Sequence, residues 1–235
     1  MSSDKETKPT KIHLHAGHRE RLRSRFIKTG ADSLQDYEML EMLLFYAIPR
    51  RDVKVIAKEM LRSFGSVQRV MAADISDLIK IKGITENSAV LIKAVYSVSQ
   101  LMLKEEVQGR SIINSWDKLM DYCHVSMAYE KKEQFRVLYL NKKNELIADE
   151  VQQVGTVDHT PVYPREIVKG ALDKGATAII LVHNHPSGDS MPSNSDIDMT
   201  RDIIKAASSM NIVVHDHIII SKGDATSFKA LGLLG

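Results

Sequence analysis

Apolar residues in the first hundred positions recur with a helical period. In "DYEMLEMLLFYAI" the Leu, Met and aromatic residues cluster at helical spacing. "RDVKVIAKEMLRSF" puts Val53, Ile56, Ala57, Met60 and Leu61 on one helix face, and Gly65 stands where that helix would stop. "ADISDLIKI" opens with Asp74, a residue type that caps helices, and "TENSAVLIKAVYSVSQLMLKEE" is a long amphipathic run. No stretch between Arg19 and Glu106 alternates as a strand does. The pattern predicts an all-α domain over 19–106, preceded by a flexible polar tail over 1–18.

The period changes after "EEVQGRS", a polar segment containing Gly109 that reads as a linker. "DKLMDYCHVSMA" is one more helix. "QFRVLYLN" and "ELIADEVQQVG" predict a hairpin, in which Phe135, Val137 and Tyr139 alternate with Arg136, Leu138 and Leu140. Pro164 can open a helix in "PREIVKGALDKGA". "TAIILVHNH" is short, apolar and β-branched, a buried strand. "NSDIDMTRDIIKAASSMN" is helical and "IVVHDHIIIS" is another strand. The order α–β–β–α–β–α–β describes a mixed α/β domain over 111–235.

Composition narrows the partners. The chain has 235 residues, enough for one large or two small domains, and a net charge of +2, which demands no nucleic acid. Charge is unevenly placed, however: "HRERLRSRF", residues 18–26, is strongly basic. Cys123 is the only cysteine, so the chain can form no internal disulfide and no cysteine-based zinc site. No apolar run is long enough to span a bilayer, and "MSSDKETKPTK" lacks the apolar core of a signal peptide. The expectation is a cytoplasmic protein with no membrane association.

The candidate chemistry lies in "LVHNHPSGDSMPSNSD", residues 181–196. Residues i and i+2 of a strand share a face, so His183 and His185 project side by side where the strand gives way to a loop. Neutral imidazoles are good zinc ligands. Ser193 can cap the next helix, with Asp196 three residues on. If that helix end folds back over the strand end, Asp196 supplies an oxygen ligand, and the fourth zinc position stays open for water. Taken singly, each element has a structural reading: a strand-end histidine, or a Ser-x-x-Asp cap. Together they favour a hydrolytic metal site.

The string His183-x-His185, seven residues, Ser193-x-x-Asp196 resembles the JAMM motif of MPN-type metalloproteases. The wider stretch "PREIVKGALDKGATAIILVHNHPSGDSMPSNSD" with "HDHIIIS" resembles the bacterial RadC family, as do "GHRERLRSRF", "DYEMLEMLLFYAIPRRDVK" and "GSV" in the first half. The resemblance implies a helix-hairpin-helix-like all-α domain followed by a mixed α/β JAMM/MPN domain of cytidine-deaminase-like fold. It further implies Zn2+ held by His183, His185 and Asp196, oxyanion stabilisation by Ser193, and an upstream glutamate as general acid/base. Glu133 is the best match for that glutamate. Glu130, Glu150 and Glu166 would each need a different alignment. The implied substrate is a peptide or protein.

Three further segments carry expectations. In "VVHDHII", His215 and His217 share a strand face with Asp216 opposite, and one of the two histidines supports the site or is a satisfied core residue. "HLHAGH", with His13, His15 and His18, falls in the expected tail and reads as a solvated or weakly metal-binding segment. "LIKIKGITENSAVLIKA" resembles a helix-hairpin-helix. There Leu78, Ile81 and Ile84 would pack inside and Gly83 would allow the turn, with Lys80 and Lys82 near a DNA phosphate. Thr85 stands where a second glycine is usual in that motif. DNA binding and plain packing are both open for this hairpin.

Overall fold

The computed structural model describes residues 12–155 and 162–234, which divide between Ser97 and Val98 into two compact units. Among the described residues the first unit is helical throughout: α1 (Ile12–Thr29), α2 (Asp36–Ala47), α3 (Lys54–Phe64), α4 (Val67–Ala72), α5 (Ile75–Leu78) and the start of α6 (Glu86–Val107). The face anticipated on α3 is the one that packs: Val53, Ile56, Ala57 and Met60 are buried with Leu22, Leu40, Leu44, Val70, Leu78 and Ile92. Gly65 ends α3 in the left-handed region, φ 91°, and its N–H reaches Leu61 O at 2.7 Å.

Two expectations about boundaries need correction. The helix expected from Arg19 begins at Ile12, so positions 12–18 of the expected tail are helical. His18 belongs to the unit's structure: its Nε2–H donates to Glu41 Oε2 at 2.6 Å, and Glu41 is fully buried. Nor is "EEVQGRS" a linker. The apolar pattern of α6 runs on into the second unit, where Leu103 and Val107 pack in a core. Gly109 N–H then donates to Leu146 O at 3.0 Å, and Ser111 bridges Glu145, so the segment is pinned to a strand.

The second unit is a five-stranded sheet with helices on both faces. Its elements are α7 (Trp116–Met127), β1 (Glu133–Leu140), β2 (Leu146–Gly155), α8 (Pro164–Asp173), β3 (Ala178–Asn184), α9 (Asn194–Ser208), β4 (Val213–Ile220) and β5 (Ala225–Ser227). Strand order is β2-β1-β3-β4-β5, antiparallel except for the parallel pair β3–β4. This matches the expected mixed α/β order and adds β5, whose three residues are too few to show a period. Leu138, Leu140, Ile180, Val182, Ile218 and Ile220 pack on the α7 face; Phe135, Val137, Tyr139, Ile179 and Leu181 pack with α8 and α9. Burial on both faces explains why β3 reads as an unbroken apolar run. Each such buried side chain contributes about 1.5–3 kcal/mol. Gly170 lets α8 lie close to β1, since a Cβ there would meet Tyr139 Oη at 2.5 Å.

β4 departs from regularity in one place that matters below. Val214 pairs Ile179 but Asp216 pairs Ile180, so His215 is the extra residue of a β-bulge. Among the described residues no helix is long and apolar enough to cross a membrane. The stretch "VGTVDHTPVYP", residues 154–164, is long and polar enough to lie over a cleft; its positions 156–161 lie outside the described residues.

Candidate metal centre

β3 ends at the site. His183 is its penultimate residue, and His185 N–H bonds Ile220 O at 2.9 Å just beyond it, so the extended backbone continues and both rings stay on the α9 side. The chain then turns: Gly188 takes φ 96° and bonds His185 O at 3.0 Å. Thr226 Oγ1–H on β5 holds the loop by donating to Ser190 Oγ at 2.8 Å. Ser193 caps α9 through a reciprocal pair, with Asp196 N–H to Ser193 Oγ at 3.1 Å and Ser193 N–H to Asp196 Oδ2 at 2.8 Å. The cap folds Asp196 back over the strand end. Asp196 Oδ1 lies 3.3 Å from His183 Nε2, and Asp196 Oδ2 lies 3.6 Å from His185 Nε2. The two Nε2 atoms are 2.9 Å apart. Glu133, the first residue of β1, completes a group of four whose ligand atoms all lie within 4.8 Å of one another.

The hydrogen bonds decide which ring nitrogens are free. Thr200 Oγ1–H donates to Asp196 O at 2.6 Å, so the bond between Thr200 Oγ1 and His217 Nδ1, also 2.6 Å, takes its hydrogen from His217. His217 Nε2 is then an acceptor and takes His183 Nδ1–H at 2.8 Å. His183 Nε2 is left as a lone pair pointing at Asp196 and His185. On His185, Nδ1–H donates to Asp189 O at 2.7 Å, and a carbonyl can only accept, so Nε2 of the neutral ring also points inward. Two lone pairs and a carboxylate converge where a cation would relieve their repulsion. Ligand atoms of a tetrahedral zinc stand about 3.3 Å apart for bonds of about 2.0 Å, close to the separations here. His183, His185 and Asp196 therefore fit the group that the sequence implied.

Electrostatics follow the same geometry. Burial holds the His183 imidazole down to about 4, and it pushes His217 far below its ordinary range. Burial opposes the charge of Asp196, but the His185 hydrogen bond, the charge of His183 and the two bonds from Ser193 together keep its carboxyl very acidic. His185 is raised, chiefly because its protonated ring would donate to Asp196. Glu133 is raised by burial and by the Asp196 charge, against the pull of His185.

Not every candidate joins the group. Ser193 is adjacent, but its hydroxyl donates to Asp196 Oδ2 at 2.6 Å. Glu150 pairs with Lys174 at 2.9 Å, Glu166 with Arg165 at 3.2 Å, and Glu130 is exposed outside the cluster. The expectation that His215 and His217 share a face fails because of the bulge. His217 supports His183, while His215 bonds Asn144 Oδ1 at 2.7 Å and lines a pocket with Asp216.

Two side chains that brace the candidate site carry no signal noted in the sequence. Thr200 lies one helical turn after Asp196, a spacing that could have flagged it. Asn184, fully buried between the two histidines, accepts Gln134 N–H at 2.8 Å and donates to Lys132 O at 3.2 Å and Glu130 O at 3.4 Å. It clamps the segment carrying Glu133 to the end of β3. Nothing in the local pattern signals that contact.

A family model described as the RadC-like JAB domain matches residues 113–233, just over half the chain and the whole of this site. The chain belongs to the RadC family. A second model, UPF0758 N-terminal, matches residues 15–90.

In the RadC amino-terminal unit, the basic segment 18–26 is largely committed to internal contacts. Arg19 donates to Phe45 O at 3.0 Å, Ile48 O at 2.6 Å and Arg51 O at 2.7 Å, closing the carboxy-terminal end of α2. Arg25 pairs with Glu38 and Arg23 with Glu20. In the turn between α5 and α6, Lys80 and Lys82 are exposed, Lys80 pairing with Asp77 at 2.6 Å. Leu78, Ile81 and Ile84 are buried. Gly83 has φ 102° and lies against Ile56, whose Cδ1 would be 2.8 Å from a Cβ. Thr85 and Ser88 cap α6 and take up each other's N–H groups, at 2.8 and 3.4 Å. Those two amides are thereby spent on the helix's own cap.

Proposed function

We propose that the carboxy-terminal unit is a zinc-dependent hydrolase of the JAMM type that cleaves a peptide or isopeptide bond. The observation that carries this reading is the convergence of His183 Nε2, His185 Nε2 and the Asp196 carboxylate, each held by a hydrogen bond that turns its lone pairs inward. Zinc, when bound, supplies Lewis acidity that polarises the scissile carbonyl and lets a water lose its proton near neutral pH. Glu133 takes that proton and passes it to the leaving amine, a task helped by its raised affinity for a proton. Ser193 aims Asp196, and Asn184 and His217 position Glu133 and His183. The oxyanion role for Ser193 requires its hydroxyl to turn from Asp196 to the substrate; Ser193→Ala, with zinc content and turnover measured separately, tests it.

The deciding experiment begins with metal content. Untagged protein purified without added metal should carry about one zinc per chain, and His185→Ala should lose it. Zinc content unchanged by His185→Ala would remove the ligand assignment. Zinc-loaded protein should then cleave unfolded protein or lysine-linked isopeptide probes, and Glu133→Gln should keep zinc while hydrolysis falls about 100-fold or more. Normal turnover in Glu133→Gln would put the base elsewhere.

A second reading makes the protein a DNA-associated accessory factor with a metal-stabilised scaffold. The exposed Lys82 beside the Gly83 turn is the feature that favours it, since Arg19 and Arg25 of α1 are spent on contacts with α2 and its end. It predicts DNA binding that weakens with salt and with Lys80→Glu/Lys82→Glu. Zinc with no cleavage of any amide would bring this reading forward.

A further inference from the structure

The sheet's other face carries a cavity of about 520 Å³, walled by Ile112, Trp116 and Ile180. None of the four clustered metal-binding candidates lines it. The bulge in β4 makes it: the extra residue turns His215 and Asp216 together into the lining, while His217 stays on the metal side.

The polar groups of this cavity are few, and most of their hydrogen-bonding capacity is committed. Asp216 lines it but is spent: Oδ1 accepts His217 N–H at 2.7 Å and Lys229 N–H at 3.0 Å, and Oδ2 accepts Ser227 Oγ–H at 2.6 Å. His215 Nε2–H is taken by Asn144 Oδ1. That leaves the Asn144 amide N–H groups as donors. Asn144 is held in place by its own turn, with φ 57°, its N–H to Asn141 O at 2.9 Å and its O receiving Ile112 N–H at 2.9 Å. Lys229 also lines this space, and its ammonium makes no ion pair among the described residues. His215, Asp216 and Lys229 are the titratable groups of the lining. An apolar pocket of this size with a few convergent polar groups is the ordinary form of a small-molecule site.

We infer that this pocket binds a planar aromatic anion, its ring against Trp116 and Ile180 and its acidic group on Lys229 and the Asn144 amide. The apolar walls, one of them an indole, favour a ring system. The unpaired ammonium beside uncommitted N–H donors selects a carboxylate or similar group. The inference is independent of the hydrolytic reading.

Trp116 is the only tryptophan in the chain, so one indole N–H resonance reports the pocket directly. The full-length protein would be titrated with 2-naphthoate and, in parallel, with 2-naphthylmethanol, which keeps the ring and lacks the charge. A saturable shift of the Trp116 signal is expected with naphthoate, about tenfold tighter than with the alcohol. Lys229→Met should remove most of that preference while leaving the alcohol's affinity unchanged. Ala230→Phe, an exposed position on the lining, should block both. No shift at millimolar naphthoate, equal binding of the two probes, or binding untouched by Ala230→Phe would overturn the inference.

Discussion

In the variant His217→Phe, the ring packing of the candidate metal centre survives and its hydrogen bonds do not. Phe228 stacks on His217 with centroids 4.5 Å apart and Phe135 approaches edge-on at 5.7 Å, so a phenyl ring fits the same slot. What disappears is the acceptor for His183 Nδ1–H and the donor to Thr200. His183 is 1% exposed, so water does not replace the lost partner. A buried N–H left without an acceptor costs about 1–3 kcal/mol. The ring can escape that cost by moving its proton to Nε2, which hides the lone pair a metal needs. By either route zinc affinity should fall about 10–100-fold. Competition against a chelating indicator at fixed pH measures this. His217→Gln restores an acceptor and a donor on one side chain and should recover most of the loss. Wild-type affinity in a folded His217→Phe protein would refute the relay of hydrogen bonds as the cause of the ring's orientation.

Other consequences can be checked separately. Asn184→Ala should reduce stability by about 1–3 kcal/mol in urea unfolding and slow hydrolysis while zinc content holds, because three backbone groups around Glu133 lose their partner; unchanged turnover would deny the clamp. Arg19→Met should destabilise the amino-terminal unit by about 2 kcal/mol, the scale of a charged group's hydrogen bonds. Weaker DNA binding with no loss of stability would instead return Arg19 to a nucleic-acid surface. In the metal-free protein, burial lowers the pKa of both His183 and His217 in the folded state, while the unfolded chain takes up these protons near the ordinary value of 6.5. From these two rings, stability is then full above that value and falls with acid towards about 4, where the His183 site itself titrates, while the raised His185 offsets part of that fall. A flat urea midpoint between pH about 7 and about 5 would contradict this.

The candidate metal ligands were legible because their placement is local. Strand periodicity puts His183 and His185 on one side, and a capping box puts Asp196 one turn into the next helix. The apolar faces of α3 and α6 and the unbroken run of β3 were legible for the same reason. The domain boundary was not, because "EEVQGRS" has a linker's composition while its backbone groups bond to the start of β2, a long-range pairing. The basic segment misled in a similar way: charge is visible in a sequence, but its consumption by Glu38, Glu41 and the end of α2 is not.

The sequence by itself determined most of the element types, the three candidate ligands His183, His185 and Asp196, and the absence of any cysteine-based alternative, since these depend on residue identity and short spacings. Only the tertiary structure decided the roles around them. One bulged residue in β4 sends His217 to the metal face and His215 to a pocket on the other, reversing the even-odd rule that a regular strand would obey. The tautomers of His183 and His185 likewise depend on Thr200, His217 and the Asp189 carbonyl, partners assembled from α9, β4 and a loop. A proton's position on an imidazole is set by what the ring faces, and folding brings those partners from distant parts of the chain.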